Sequence, residues 1–184
     1  IALADEFARR GAEVSLILGP SSLKPSERVE LVPVTTAEEM LAACQERIGT
    51  AHLAIFAAAV ADYRPRYSSA TKIKREGEDC LELELVQNPD IAATLGAGKE
   101  PWQYFMGFAL ESDAGVEEAK RKMQRKHLDA IVLNSLQDAG AGFAHPTNKV
   151  TLFDREGAIE AYELKTKEAV AHDIADFVAK RLEA

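Results

Sequence analysis

Cysteine is nearly absent from this 184-residue chain: Cys44 and Cys80 are its only thiols. Two are too few for a disulfide framework, and nothing in the sequence points to an oxidising compartment. No run of about 18 apolar residues occurs, so no membrane-spanning helix is expected. No basic-then-apolar signal segment opens the chain. Positive charge is in deficit, with 22 Lys and Arg against 30 Asp and Glu and a formal charge of −8. That balance argues against bulk attraction to nucleic acid or anionic lipid. The four histidines include no pair at metal-ligand spacing, and no serine sits in a nucleophile elbow. Gly96-Ala97-Gly98-Lys99 lacks the glycine spacing, the following Ser or Thr and the preceding strand of a phosphate loop. These absences leave a cytoplasmic globular protein as the expectation, with no case for zinc, hydrolytic triads or redox dithiols.

What is present suits one folded domain spanning residues 1–184. Hydrophobic residues make up 47% and charged residues 28%, the balance of a chain with a real core. Short apolar runs at Glu13–Leu18, Val29–Val34, His52–Ala58, Trp102–Ala109 and Leu128–Leu133 read as strands. Helical patterns alternate with them. Thr36-Ala37-Glu38-Glu39 matches a capping box, and Met40, Leu41, Cys44 and Ile48 then line one helical face. Tyr63–Thr71 reads as loop. Cys80–Val86 alternates Leu and Glu and predicts a strand with one wet face, with Lys72-Ile73-Lys74 as a candidate hairpin partner. Asn88-Pro89 predicts an N-cap followed by proline at the first helical position. Val116–His127 reads as a helix. Val150–Phe153 and Ile159–Leu164, joined through Arg155-Glu156-Gly157, predict a hairpin before a last helix capped by Thr166. Alternating strands and helices imply an α/β fold: a Rossmann-like three-layer αβα sandwich whose mostly parallel sheet carries an antiparallel hairpin extension.

The chain opens inside a helix. Leu3 and Phe7 are spaced i, i+4 and Gly11 is the stop signal, with neither a methionine nor a cap before them. The expectation is that the domain is N-terminally incomplete here, with a first strand and its glycine-rich loop lying upstream.

Candidate chemistry lies where an open α/β sheet places ligands, beyond the carboxyl ends of its strands. Three strands there deliver Asp62, Glu111 and Asn134. The basic residues are also unevenly spread. Eight of the 22 fall within positions 72–75 and 120–127. Two such clusters in an acidic chain suit a small polyanion such as a nucleoside triphosphate. Lys122 and Lys126 share a helical face. A solvated lysine face explains the same pattern without function.

Several pieces in order resemble one family. Ala58-Ala59-Val60-Ala61-Asp62-Tyr63-Arg64, Lys72-Ile73-Lys74-Arg75, Val86-Gln87-Asn88-Pro89-Asp90-Ile91 and Gly107-Phe108-Ala109-Leu110-Glu111 look like bacterial phosphopantothenoylcysteine synthetase. Lys122–Lys126, Leu128-Asp129, Asn134, Gly142-Phe143 and Asn148 extend the likeness over essentially the whole chain. The resemblance implies ligation of 4′-phosphopantothenate to cysteine, in coenzyme A biosynthesis. The acid's carboxylate attacks the α-phosphate of CTP to give an acyl-cytidylate and pyrophosphate, and the amine of cysteine then displaces CMP. It implies Lys74 as the catalytic flap lysine on the reacting phosphates. Asp62, Asn88, Pro89, Asp90, Ile91, Phe108, Lys122 and Lys126 would form the nucleotide pocket. Mg²⁺ would accompany CTP, with its protein ligands unassigned. The family's glycine-rich loop and catalytic asparagine would lie upstream of the opening helix. A homodimer is implied, and fusion behind a flavin-dependent decarboxylase domain, with no flavin in this domain itself. Neither nucleic acid nor a membrane is an expected partner. Two other readings stay open: a non-catalytic nucleotide-binding regulatory domain, and an NAD(P)-dependent oxidoreductase whose glycine fingerprint would lie upstream.

Overall fold

The computed structural model describes residues 1–69, 71–72, 81–111, 115–135 and 147–182. Helix α1 (Ala2–Arg9) is followed by Gly11, whose φ of +94° takes the chain out of the helix. Ala4 and Ala8 pack with Val29, Val14 and Leu16. Leu3 and Phe7, at i, i+4, pack instead against the main core. Strands β1 (Ser15–Leu18) and β2 (Glu30–Pro33) form a parallel pair. Helix α2 (Ala37–Ile48) starts in the capping box expected from its sequence. Thr36 Oγ1 accepts from Glu39 N at 3.1 Å, and the Glu39 carboxylate accepts from the N–H groups of Thr35 and Thr36.

Strand β3 (Leu53–Phe56) leads to a short antiparallel ribbon of β4 (Tyr63–Pro65) and β5 (Leu85–Gln87). After it come α3 (Ile91–Gly96), β6 (Tyr104–Glu111), α4 (Gly115–Arg125) and β7 (Ala130–Ser135). The chain finishes with β8 (Thr147–Asn148), β9 (Val150–Asp154), β10 (Ile159–Ala161), β11 (Lys165–Thr166) and α5 (Lys167–Leu182). The main sheet is mixed and five-stranded, in the order β10-β9-β7-β6-β3. Strands β3, β6 and β7 run parallel, and the β9–β10 hairpin extends them antiparallel, as the sequence suggested. Gly157, at φ +94°, turns that hairpin.

Alternation along β6 splits the core. Met106 packs with Val132, Leu152 and the α5 residues Val170, Ile174 and Phe177. Its neighbour Phe105 packs with Ile91, Leu95, Met123 and Leu128, against Met40, Leu41, Cys44 and Ile48 of α2. Polar side chains fix the amino ends of the strands. Asp129, only 2% exposed, accepts from Phe105 N at 2.6 Å and pairs with Lys99 and Arg155. Buried Gln103 donates to the carbonyls of Ile48 and Ala51.

Three local expectations need correction. Tyr63–Pro65 is a strand rather than loop, because its backbone pairs with Leu85–Gln87. The strand read at Cys80–Val86 is shorter and shifted, and Leu81, Leu83 and Leu85 are all exposed. Asn88 does not cap α3. Asp90 does, accepting from Ala93 N at 3.1 Å. Ile73, Lys74, Arg75, Cys80, Gly142 and Phe143 lie outside the described residues. Among the described residues, no helix is long and apolar enough to cross a membrane.

Candidate functional site

The carboxyl ends of β3 and β6, the β4–β5 ribbon and the facing ends of α3 and α4 enclose most of the candidate residues. Strand β3 runs out into the small residues Ala57–Ala61 and then Asp62. The Asp62 carbonyl accepts from Asn88 N at 2.8 Å, while its carboxylate is exposed. Asn88 is spent on local structure: Nδ2 donates to Ala61 O at 2.8 Å, and Oδ1 accepts from Arg64 Nη1 at 3.1 Å. Arg64 also donates to Gln87 O and pairs with Glu38 at the start of α2. One guanidinium therefore ties the ribbon, Asn88 and α2 together. The pattern did not assign Arg64 a role, although it stands inside the Asp62-Tyr63-Arg64 run that did carry signal.

Asp90 faces α4. Lys126 Nζ lies 3.0 Å from its Oδ1 and Arg125 Nη2 4.0 Å from its Oδ2. Burial pushes the Asp90 carboxyl up, but the Ala93 N–H and the Lys126 ammonium outweigh it and hold it below the ordinary value. Ile91 is buried against Leu95 and Met123, so any ligand contact it makes comes from its main chain. Pro89 is half-buried. Lys122 stands one turn before Lys126 on α4, half-buried and not without partners of its own. Helices α3 and α4 meet closely: a Cβ on Gly96 would come within 2.1 Å of Lys126 O. His127, at φ +53°, then turns the chain out of α4 toward β7.

The structure thus joins Asp62 to Asn88 by a hydrogen bond and Asp90 to Lys126 by an ion pair, the two pairs meeting at the Asn88–Asp90 segment. It does not bring the Phe108 side chain to them. Phe108 packs with Met106 in the α5-side cluster, so only its main chain is available on the α3–α4 side. Lys74, the expected catalytic residue, lies outside the described residues, and the side chain of Glu111 is likewise not described. A groove of about 480 Å³ opens at the carboxyl ends of β1 and β2, lined by Leu18, Pro20, Leu23, Lys24, Leu31 and Thr35 among others. Among the described residues no three His, Cys, Asp or Glu side chains gather as metal ligands. The arrangement offers an exposed carboxylate, a fixed ammonium and backbone groups within one strand-end site. That is the equipment for holding a polar ligand with anionic groups.

Comparison with known proteins places the chain. The family model described as DNA/pantothenate metabolism flavoprotein C-terminal domain matches residues 1–182. The chain is 49% identical over 175 residues to a cysteine/cysteine sulfinic acid decarboxylase from an unknown prokaryotic organism, covering 95% of this chain and 48% of that protein. It is 37% identical over 182 residues to the coenzyme A biosynthesis bifunctional protein CoaBC of Escherichia coli K12, covering 98% of this chain and 45% of that protein. The solved C-terminal domain of a coenzyme A biosynthesis bifunctional protein CoaBC superposes with a TM-score of 0.81 at 36% identity, covering 99% of this chain and 82% of that one. The chain spans about half the length of the curated relatives it matches.

Proposed function

The chain belongs to the family of DNA/pantothenate metabolism flavoprotein C-terminal domains, and from that premise we propose that it is the part of its parent protein that ligates 4′-phosphopantothenate to cysteine with CTP. The observation that carries this reading is the likeness to CoaBC over 98% of the chain at 37% identity. In the proposed reaction a carboxylate oxygen of the acid bonds to the α-phosphorus of CTP, and the bond to pyrophosphate breaks. The amine of cysteine then bonds to the acyl carbon, loses its proton and expels CMP. Such transfers depend on positioning and on charge opposite the phosphates rather than on covalent help.

In this reading Lys126, held by Asp90, and Lys122 face the nucleotide. Asp62 meets its polar edge, and the main chain at Asn88–Ile91 and Phe108 lines the pocket. Lys74 acts on the phosphates in transit. Magnesium enters as the ion of the Mg–CTP substrate. Flavin belongs to a separate upstream domain. The reading also includes a Rossmann-like three-layer αβα sandwich completed by a strand and glycine-rich loop upstream, a cytoplasmic location and a homodimer. Supporting the completed sheet, β3 pairs only with β6 and β1 only with β2 among the described residues. Supporting the dimer, Tyr63 and Leu85 of the ribbon and the flanking Tyr67 and Leu83 are exposed.

A second reading rests on the 49% relative. The chain would then serve a decarboxylase acting on cysteine or its sulfinic acid. One assay separates the two. The full parent protein is given Mg–CTP, 4′-phosphopantothenate and cysteine, and CMP release is followed; with cysteine or cysteine sulfinic acid alone, carbon dioxide is followed. Release of CMP that requires all three substrates is the expected result. Carbon dioxide without CMP would overturn the ligase reading in favour of the second. CTP binding without either product would favour a regulatory domain.

A further inference from the structure

Asn88 grips the backbone beside Asp62 twice. Its Nδ2 donates to Ala61 O and its main-chain N donates to Asp62 O, both at 2.8 Å. The stretch so held follows β3, and between Phe56 and Asp62 every residue is alanine except Val60, which packs toward the Phe105 cluster. Alanine methyls give a backbone little to anchor it by packing. Hydrogen bonds from elsewhere in the chain therefore set where the exposed Asp62 carboxylate stands.

The Asn88 amide is itself oriented from a third place. Its Oδ1 accepts from Arg64 Nη1 at 3.1 Å, and the same nitrogen donates to Gln87 O at 2.9 Å. The other arm of the guanidinium pairs with Glu38 in the first turn of α2. These partners leave the amide one orientation. Ala61 O can only accept, so Nδ2 faces it, and a guanidinium can only donate, so Oδ1 faces Arg64. The exchanged amide would set oxygen against oxygen and donor against donor. Serving the Asn88, Gln87 and Glu38 acceptors at once needs the planar fork of arginine, since a lysine ammonium is a single point.

We propose that Arg64 is a positioning residue for nucleotide binding: anchored by Glu38, it orients the Asn88 amide, and that amide sets the Asp62 carboxylate toward the nucleotide. This deepens the ligase reading and rests on it for the role of Asp62. With protein acceptors already facing its guanidinium, Arg64 acts through Asn88 and not on a reacting atom. The relay joins four segments far apart in the chain, at Glu38, Arg64, Asn88 and Asp62. It pins the β4–β5 ribbon to the strand end where an open α/β sheet carries its ligand. A site group held by such a supporting bond binds its ligand without first having to be ordered.

The test uses the full parent protein and calorimetric binding of Mg–CTP. Arg64→Ala should weaken binding about tenfold, the effect of losing one charge-assisted hydrogen bond. Asn88→Ala should weaken it to the same extent. Arg64→Lys should do nearly the same, because charge alone does not orient the amide. Arg64→Ala added to Asn88→Ala should change the affinity by less than about twofold, since the relay is already broken. The KM values for 4′-phosphopantothenate and cysteine should stay within about twofold in each variant, a split that general loosening of the fold would not give. Unchanged affinity in Arg64→Ala, wild-type affinity in Arg64→Lys, a further tenfold loss in the double variant, or equal rises for all three substrates would overturn the assignment. If Arg64→Ala does not fold, Arg64→Lys decides: about tenfold weaker binding supports the relay and wild-type affinity refutes it. If the wild-type protein binds Mg–CTP but forms no CMP, the ligase reading fails while these affinities still decide Arg64. Normal CMP formation with unchanged affinity in Arg64→Ala removes Arg64 and leaves the ligase reading. A wild-type protein that binds no CTP refutes both.

Discussion

Lys126 Nζ stands 3.0 Å from Asp90 Oδ1 while the same carboxylate accepts from Ala93 N, so one side chain both caps α3 and anchors the end of α4. The two roles separate by substitution. Asp90→Ala loses the cap and should cost about 1 kcal/mol in denaturant unfolding. Asp90→Asn keeps a capping oxygen and loses only the ion pair, which at this exposure should cost less than about 1 kcal/mol. Equal losses in the two variants would refute the division.

Catalysis and nucleotide binding should also part company. Lys74→Gln in the parent protein is expected to lower kcat at least about a hundredfold, the effect of losing one charge-stabilising donor, with little change in affinity for CTP. Lys126→Gln should mainly raise the KM for CTP, the mark of lost uniform binding. Steady-state rates with all three substrates decide the matter. Normal turnover in Lys74→Gln would remove the role given to that lysine.

The close contact of α3 with α4 leads to a contrast between two glycines. A Cβ on Gly96 would stand 2.1 Å from Lys126 O, a backbone atom that cannot move alone. Gly96→Ala should destabilise by about 2–3 kcal/mol despite alanine's better helix propensity. A Cβ on Gly107 would meet Leu128 Cδ1 at 2.6 Å, the far end of a flexible side chain. Gly107→Ala should therefore cost less, about 1 kcal/mol, the low end for overpacking. Thermal melts of both variants check the order, and a milder Gly96→Ala would contradict the packing described for the site.

Stability should fall at both ends of the pH scale. At Asp154, burial raises the carboxyl, but Arg181 and the N–H groups of Ala158 and Glu156 outweigh it and hold it below the ordinary 3.8. Asp90 is held down in the same sense. A depressed carboxyl stabilises the fold above its unfolded value, and that contribution is lost as pH falls below 3.8. Tyr104 and Tyr162 are pushed well above the ordinary 10.0, chiefly by burial. Their contribution is complete below 10.0 and is lost as pH rises beyond it. Denaturant melts across pH should show both declines, and in a variant with Tyr63 and Tyr67 replaced by Phe, phenolate absorbance should appear together with alkaline unfolding. Phenolate formation near pH 10 in that variant while it is still folded would show that the Tyr104 and Tyr162 hydroxyls are not shielded as described.

The sequence by itself determined the features whose physics is local. The capping box at Thr36 and Glu39, the stop at Gly11, the turn at Gly157 and the Thr166 cap of α5 each depend on residues a few positions apart. The parallel strands were legible because apolar runs between amphipathic helices have few other places to go. Tertiary structure decided what depends on distant partners. Asp90 rather than Asn88 caps α3, since Asn88 is taken by Ala61 and Arg64 from another part of the chain. Leu85–Gln87 pairs with Tyr63–Pro65, because strand pairing is set by which backbone arrives alongside and not by the strand's own alternation. The Lys126–Asp90 pair likewise follows from where the helices and strands stop relative to one another. No spacing along the chain encodes that relation, because the burial of a polar atom is fixed by what the folded chain packs around it.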